Sequence, residues 1–124
     1  MIGQQHMSDN IEHTKQTVIE SLENMKAKDI VVLDVKPLTS MADYMIVASG
    51  TSKRHISAVA ESVYLDAKAA GIKSNMEGEP GSDWVLVDMF DVIVHIMTPD
   101  TRKFYDLEKL WTMTPEGDKS DATE

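Results

Sequence analysis

The sequence predicts an α/β fold of the α+β kind: a mixed sheet of about five strands, two long helices on one face, and a short C-terminal helix. Three observations predict it. Apolar residues recur at helical spacing in two long windows, from Ile11 and from Ile56. Two β-branched runs, "DIVVLDV" (29–35) and "YMIVAS" (44–49), are apolar on both faces and read as buried strands. The stretch "WVLVDMFDVIVHIM" (84–97) separates cleanly into two faces if Phe90 and Asp91 form the tip of a two-residue hairpin. One face then holds Val85, Val87, Met89, Val92, Val94 and Ile96, with no polar side-chain atom. The other holds Trp84, Leu86, Asp88, Ile93, His95 and Met97. A slip of one residue would mix the two sets and bury a charge, so the partition argues for this register.

In chain order, residues 1–9 show no periodicity and are expected to be loose. A first helix follows over about 10–28, with Ile11, Val18, Ile19, Leu22 and Met25 inward and Ser8, Asp9 or Asn10 as its cap. The run 29–35 is the first strand, "KPLTSMAD" turns the chain, and 44–49 is the second. Gly50-Thr51-Ser52 ends that strand and caps a second helix, whose stripe is Ile56, Val59, Ala60, Val63, Ala67 and Ala70 and which Gly71 ends. "IKSNME" (72–77) is polar enough for an edge strand, and the strand–helix–strand connection calls for a right-handed crossover with one parallel pair. After the hairpin, Thr98 caps a last helix with Pro99 at its first position. Its inward residues are expected to be Phe104, Leu107, Leu110 and Trp111, and the acidic tail 112–124 is expected to be disordered. Residues 10–111 thus form one domain.

Composition narrows the function. The formal net charge is −9 and there is no cysteine, which excludes disulfides and thiolate metal sites. An acidic body repels phosphate backbones, so a basic protein is a better large partner than nucleic acid. No run is long enough to span a membrane and the N-terminus lacks a signal peptide's apolar core, so a cytoplasmic location is expected.

Two long helices need the aliphatic face of the hairpin, and the small last helix is too short to shield the whole opposite face. The face with Trp84, Asp88 and His95 is therefore expected to be partly open, with the make-up of a protein–protein hot spot. In the alternative, Trp84 packs under the last helix and Asp88 pairs with His95, its diagonal neighbour. Gly50-Thr51-Ser52 with Lys53 and Arg54 has the outline of a phosphate site at a helix start. Capping alone accounts for Thr51 and Ser52, and Asp88 and Asp91 flank a turn and point apart, so no convergent carboxylates are available for magnesium. The histidines at 6, 13, 55 and 95 lack ligand spacing, and the nine methionines read as packing filler.

Asp43-Tyr44-Met45-Ile46-Val47, then Gly50-Thr51-Ser52 with Arg54-His55, resembles the ribosomal silencing factor family, the Iojap-like proteins. Glu77-Gly78, Trp84, Asp88, Asp91, Val92 to Val94 and His95 are similar to its second block, and Arg102, Tyr105, Leu107, Glu108, Leu110 and Trp111 to its closing signature. Phe90 stands where the family more often has glycine or another small residue. The resemblance implies a nucleotidyltransferase-like fold that has lost its catalytic carboxylates, so no enzyme, cofactor or metal. It implies docking on the fourteenth protein of the large ribosomal subunit, which blocks small-subunit joining and lowers translation when nutrients are scarce, and a homodimer in the free protein. On this reading Trp84 is the anchor, with Leu86 and Met97 around it and Tyr44 also on the docking surface. Asp88, Glu77 and Asp43 face basic groups, and His95 donates a hydrogen bond or orders Asp88. The rivals are a residual nucleotide-binding enzyme and an RNA-binding factor.

Overall fold

A computed structural model describes residues 2–79, 81–106 and 108–109. Leu107, Leu110, Trp111 and the tail 112–124 lie outside the described residues, so their expected placements do too. The element order is α1 (Ile2–Asn24), β1 (Lys28–Asp34), β2 (Tyr44–Ser49), α2 (Lys53–Ala69), β3 (Asn75–Glu77), β4 (Trp84–Asp88), β5 (Val92–Met97) and α3 (Pro99–Tyr105). One five-stranded sheet runs in the order β1-β2-β5-β4-β3. Only β2 and β5 pair in parallel; the three other pairings are antiparallel. The parallel neighbours are therefore not joined through α2, which instead carries the chain to β3 at the far edge.

The hairpin register is the expected one: Val85 faces Ile96, Val87 faces Val94, and the Met89 amide donates to the Val92 carbonyl at 2.9 Å. Its aliphatic face meets Val18 and Leu22 of α1 and Ile56, Val59, Val63 and Ala67 of α2 in one buried core. Both long helices thus lie on that face. Removing these branched side chains from water is the main driving force for the sheet–helix sandwich.

Helix ends separate what local chemistry announces from what it hides. Gly71 takes φ +81°, its amide donates to Lys68 O at 3.1 Å and that of Ile72 to Ala67 O at 2.8 Å, closing α2 as expected. α1 closes by the same pair of bonds, Lys26 N–H to Glu23 O and Ala27 N–H to Leu22 O, but with Lys26 at φ +62°. No glycine marks that stop, so the helix ends before the expected residue 28. It also begins at Ile2, which places Ser8, Asp9 and Asn10 inside the helix and not at its cap, and makes residues 2–9, expected to be loose, helical. β1 corrects a second reading: it is an edge strand, irregular between Lys28 and Val31, and its Val32 is 38% exposed.

Candidate functional site

The second face of the sheet is divided. Toward β1 it is sealed by the chain itself, because Val35 and Ala42 from the β1–β2 connection join Leu33, Met45, Val47 and Met97 in a second buried apolar cluster. Met97 is fully buried there and offers nothing to a partner, contrary to expectation. The apolar residues Val35 and Ala42 were the available signal that "KPLTSMAD" and its flanks cover part of the sheet as well as turn the chain. Toward β4 the face is open: Trp84, Leu86, Asp88 and Ile93 are half-buried.

Trp84 is braced by two rings. Its Nε1–H donates to His95 Nδ1 at 3.0 Å, with ring centroids 5.7 Å apart, and the centre of the Tyr105 ring lies 5.0 Å from that of the indole. His95 is only 6% exposed, and burial pulls its pKa from 6.5 down to about 4. It is a neutral acceptor beneath the indole and reaches neither a partner nor Asp88. Asp88 serves the turn instead, where its Oδ1 accepts from the Phe90 amide at 2.8 Å. Its half-buried side chain remains on the open face, opposite Asn75, and the exposed Glu77 lies there too, opposite Leu86.

Two expected site residues fall elsewhere. Tyr44 pairs with Val92 and packs at the rim of the helix-covered core, with Lys15 Nζ 4.0 Å and Lys36 Nζ 4.2 Å from its ring centre. It does not share a face with Trp84. Asp43 is half-buried at the start of β2, its amide donating to Asp91 O at 2.9 Å.

Residues not anticipated complete the surface. Phe104, expected inward, is 79% exposed and packs edge-on against Tyr105 at 4.9 Å. The inward residue of α3 is Arg102, which donates to Ser49 Oγ at 2.9 Å and grips both oxygens of Glu108 at 2.8 and 2.9 Å. That charged anchor, invisible to a hydrophobic-stripe reading, turns Phe104 outward. Trp84, Phe104 and Tyr105 then line an open groove of about 520 Å³ with Ser82, Asp83, Asp100 and Thr101. Three aromatic rings beside Asp100, with Asp83 shared with Lys53, suit a lysine or arginine side chain by both charge and cation–π attraction.

The turn at Gly50 is committed to structure. Ser52 Oγ accepts from the His55 amide at 3.0 Å, and Thr51 N–H donates to His55 Nδ1 at 2.9 Å. His55 Nε2 must then carry the proton it shares with Met25 O at 2.7 Å, which ties α2 to the end of α1. Lys53 pairs with Asp83 at 3.5 Å. A Cβ on Gly50 would come within 2.7 Å of Ile56 Cγ1, so the glycine permits close packing here. Among the described residues, no group of His, Asp and Glu side chains has metal-binding geometry.

Comparison with known proteins places this architecture. The model of the family described as "Ribosomal silencing factor during starvation" matches residues 8–124. A Chromobacterium violaceum protein named Ribosomal silencing factor RsfS is 46% identical over 102 residues, covering 82% of this chain and 84% of that one. A mouse protein named Mitochondrial assembly of ribosomal large subunit protein 1 is 36% identical over 100 residues, covering 77% of this chain and 44% of that one. A crystal structure of a Chromobacterium violaceum protein superposes with a TM-score of 0.80 at 46% identity, over 82% of this chain and 86% of that one. The chain belongs to the ribosomal silencing factor family.

Proposed function

We propose that this chain is a cytoplasmic, non-catalytic occluder that docks through the open β4 side of its sheet on a basic protein of the large ribosomal subunit, and that by its bulk it keeps the small subunit from joining. The fourteenth large-subunit protein is the partner implied by the family pattern, and nutrient limitation the setting. The observation that carries the reading is the braced, half-exposed indole of Trp84 on a groove with exposed Phe104 and Tyr105, flanked by Asp83 and Asp100. A rigid aromatic anchor with an acidic margin has the anatomy of a binding hot spot for a cationic surface. The name of the mouse relative, which speaks of the large ribosomal subunit, points the same way. A second copy covers the groove when the protein is free.

No chemistry is required of such a protein; it has only to stay bound while the small subunit competes. The reading is tested by sedimenting purified subunits with and without the protein. Co-migration with the large subunit and loss of joined ribosomes are expected. Failure to co-migrate would end the proposal.

A further inference from the structure

Beyond the docking reading, a second built feature lies at the opposite end of the hairpin. There the end of α2, the segment leading into β3 and the β4–β5 turn border an open pocket of about 360 Å³. Tyr64, Lys68, Lys73, Ser74, Asn75 and Phe90 line it, and none of its lining residues also lines the Trp84 groove. In a chain with 21 acidic residues against 12 lysines and arginines, this lining holds two lysines and no carboxylate.

Three observations separate the pocket from an ordinary surface dent. Phe90 sits at φ +70° and is 58% exposed. A bulky residue pays strain in that left-handed region, and strain of this kind gathers at functional sites. The turn is held locally, with the Asp91 amide donating to Met89 O at 2.8 Å and the Phe90 amide to Asp88 at 2.8 Å, so burial of the ring does not drive it. Second, Lys68 and Lys73 make no ion pair or hydrogen bond among the described residues. Lys68 alone suits the negative end of α2, but Lys73 lies beyond the helix. The nearby helix carbonyls of Ala67 and Lys68 already accept from Ile72 and Gly71. Third, Ser74 Oγ is buried without a hydrogen-bond partner, the one such side-chain atom among the described residues. With no protein partner, that hydroxyl at the pocket wall is available to a polar ligand.

We propose that this pocket binds a nucleotide, a nucleobase carried on a phosphorylated ribose. The base stacks on the Phe90 and Tyr64 rings, the phosphate lies between Lys68 and Lys73, and Ser74 meets its polar edge. The volume falls at the small end of ligand pockets, roughly 300–1,000 Å³, which suits a single nucleotide unit. Aromatic stacking beside flexible cations is how proteins hold an unpaired nucleotide without duplex contacts. The same chemistry is offered by a free nucleoside phosphate and by an unpaired nucleotide of an RNA.

The test is calorimetric titration of the full chain at low salt with AMP, GMP, CMP, UMP, inorganic phosphate, and a short unpaired oligoribonucleotide bearing a 5′-phosphate. Saturation by a mononucleotide below about 1 mM identifies the free source, and saturation by the oligonucleotide alone identifies the RNA source. The double variant Lys68→Ala/Lys73→Ala is expected to weaken binding at least tenfold. Phe90→Gly is expected to weaken it similarly while raising Tm, since glycine relieves the strained φ, so lost binding is not lost folding. Trp84→Ala keeps nucleotide binding, so this proposal and the docking reading fail separately. Binding to no nucleotide probe, equal binding of inorganic phosphate and nucleotides, or wild-type binding by these pocket variants overturns the proposal.

Discussion

Trp84 and His95 are joined across the β4–β5 hairpin by a 3.0 Å hydrogen bond from the indole N–H to Nδ1. The bond requires a neutral imidazole with its proton on Nε2, because an imidazolium has no lone pair to accept with. Burial holds His95 at about 4, well below its ordinary 6.5, so the unfolded chain takes up this proton first as pH falls. The contribution is complete above pH 6.5, declines between 6.5 and 4, and levels off below. Its full size is on the order of 3 kcal/mol, of which about 2 kcal/mol is gone by pH 5. Denaturant unfolding at pH 7 and pH 5 should show that loss, and His95→Gln should flatten it. An equal slope in both proteins would remove His95 as the cause.

Substitution on the two faces of the hairpin should separate docking from folding. Trp84→Ala removes a half-exposed ring and is expected to leave a folded protein whose ribosome binding weakens by about 2–4 kcal/mol, as central aromatic anchors do. Val94→Asp places a carboxylate at a position with no exposure and should prevent folding. Circular dichroism reports the fold and co-sedimentation with large subunits the binding. If Trp84→Ala pellets with large subunits as well as wild type, the anchor is misassigned.

These variants also show where the sequence was legible. Val85, Val87, Val92 and Val94 alternate so cleanly with Trp84, Leu86 and His95 that strand period and turn length alone specify the register. Gly71 announces a helix end because only a residue tolerant of positive φ sits there comfortably; Lys26 makes the same stop with no such mark. The site was half legible. Trp84 and Leu86 stand on the open face because pairing parity puts them there. Met97 shares their parity but is fully buried in a second apolar cluster with Met45 and Val47, a tertiary fact that periodicity cannot report. Phe104 has an apolar side chain and still faces water, because Arg102 takes the inward position through hydrogen bonds.

That arginine should tolerate no conservative exchange. Its guanidinium spans Ser49 on one side and both Glu108 oxygens on the other, and the pairing holds the Glu108 carboxyl below its usual range. Lys has no fork to reach both. Arg102→Lys is expected to cost about 1–3 kcal/mol and to loosen α3, lifting Tyr105 from Trp84. Near-ultraviolet circular dichroism should then weaken along with Tm. On acidification the Glu108 contribution is present above the ordinary carboxylate range and lost as pH falls through its lowered value, so wild type and variant should converge in acid. An unchanged melting temperature would show that α3 is held by something else.

Gly78 offers the sharpest test of how the β3–β4 edge supports the open face. Its φ of +121° is one that side chains rarely adopt, and a Cβ there would sit 3.0 Å from the Trp84 carbonyl oxygen and 3.2 Å from Val85 Cα. Both neighbours are backbone, so the strand itself must move. Gly78→Ala is therefore expected to cost about 1–3 kcal/mol and to shift the backbone that carries Trp84, the proposed anchor. Gly71→Ala is the control: its φ is +81° with nothing within 4 Å of the added carbon, so it pays backbone strain of about 1–2 kcal/mol without a clash. Thermal melts should place both below wild type, whereas large-subunit binding, measured where both are folded, should fall only for Gly78→Ala. Equal binding by the two variants would mean that the edge strand does not hold the anchor in place.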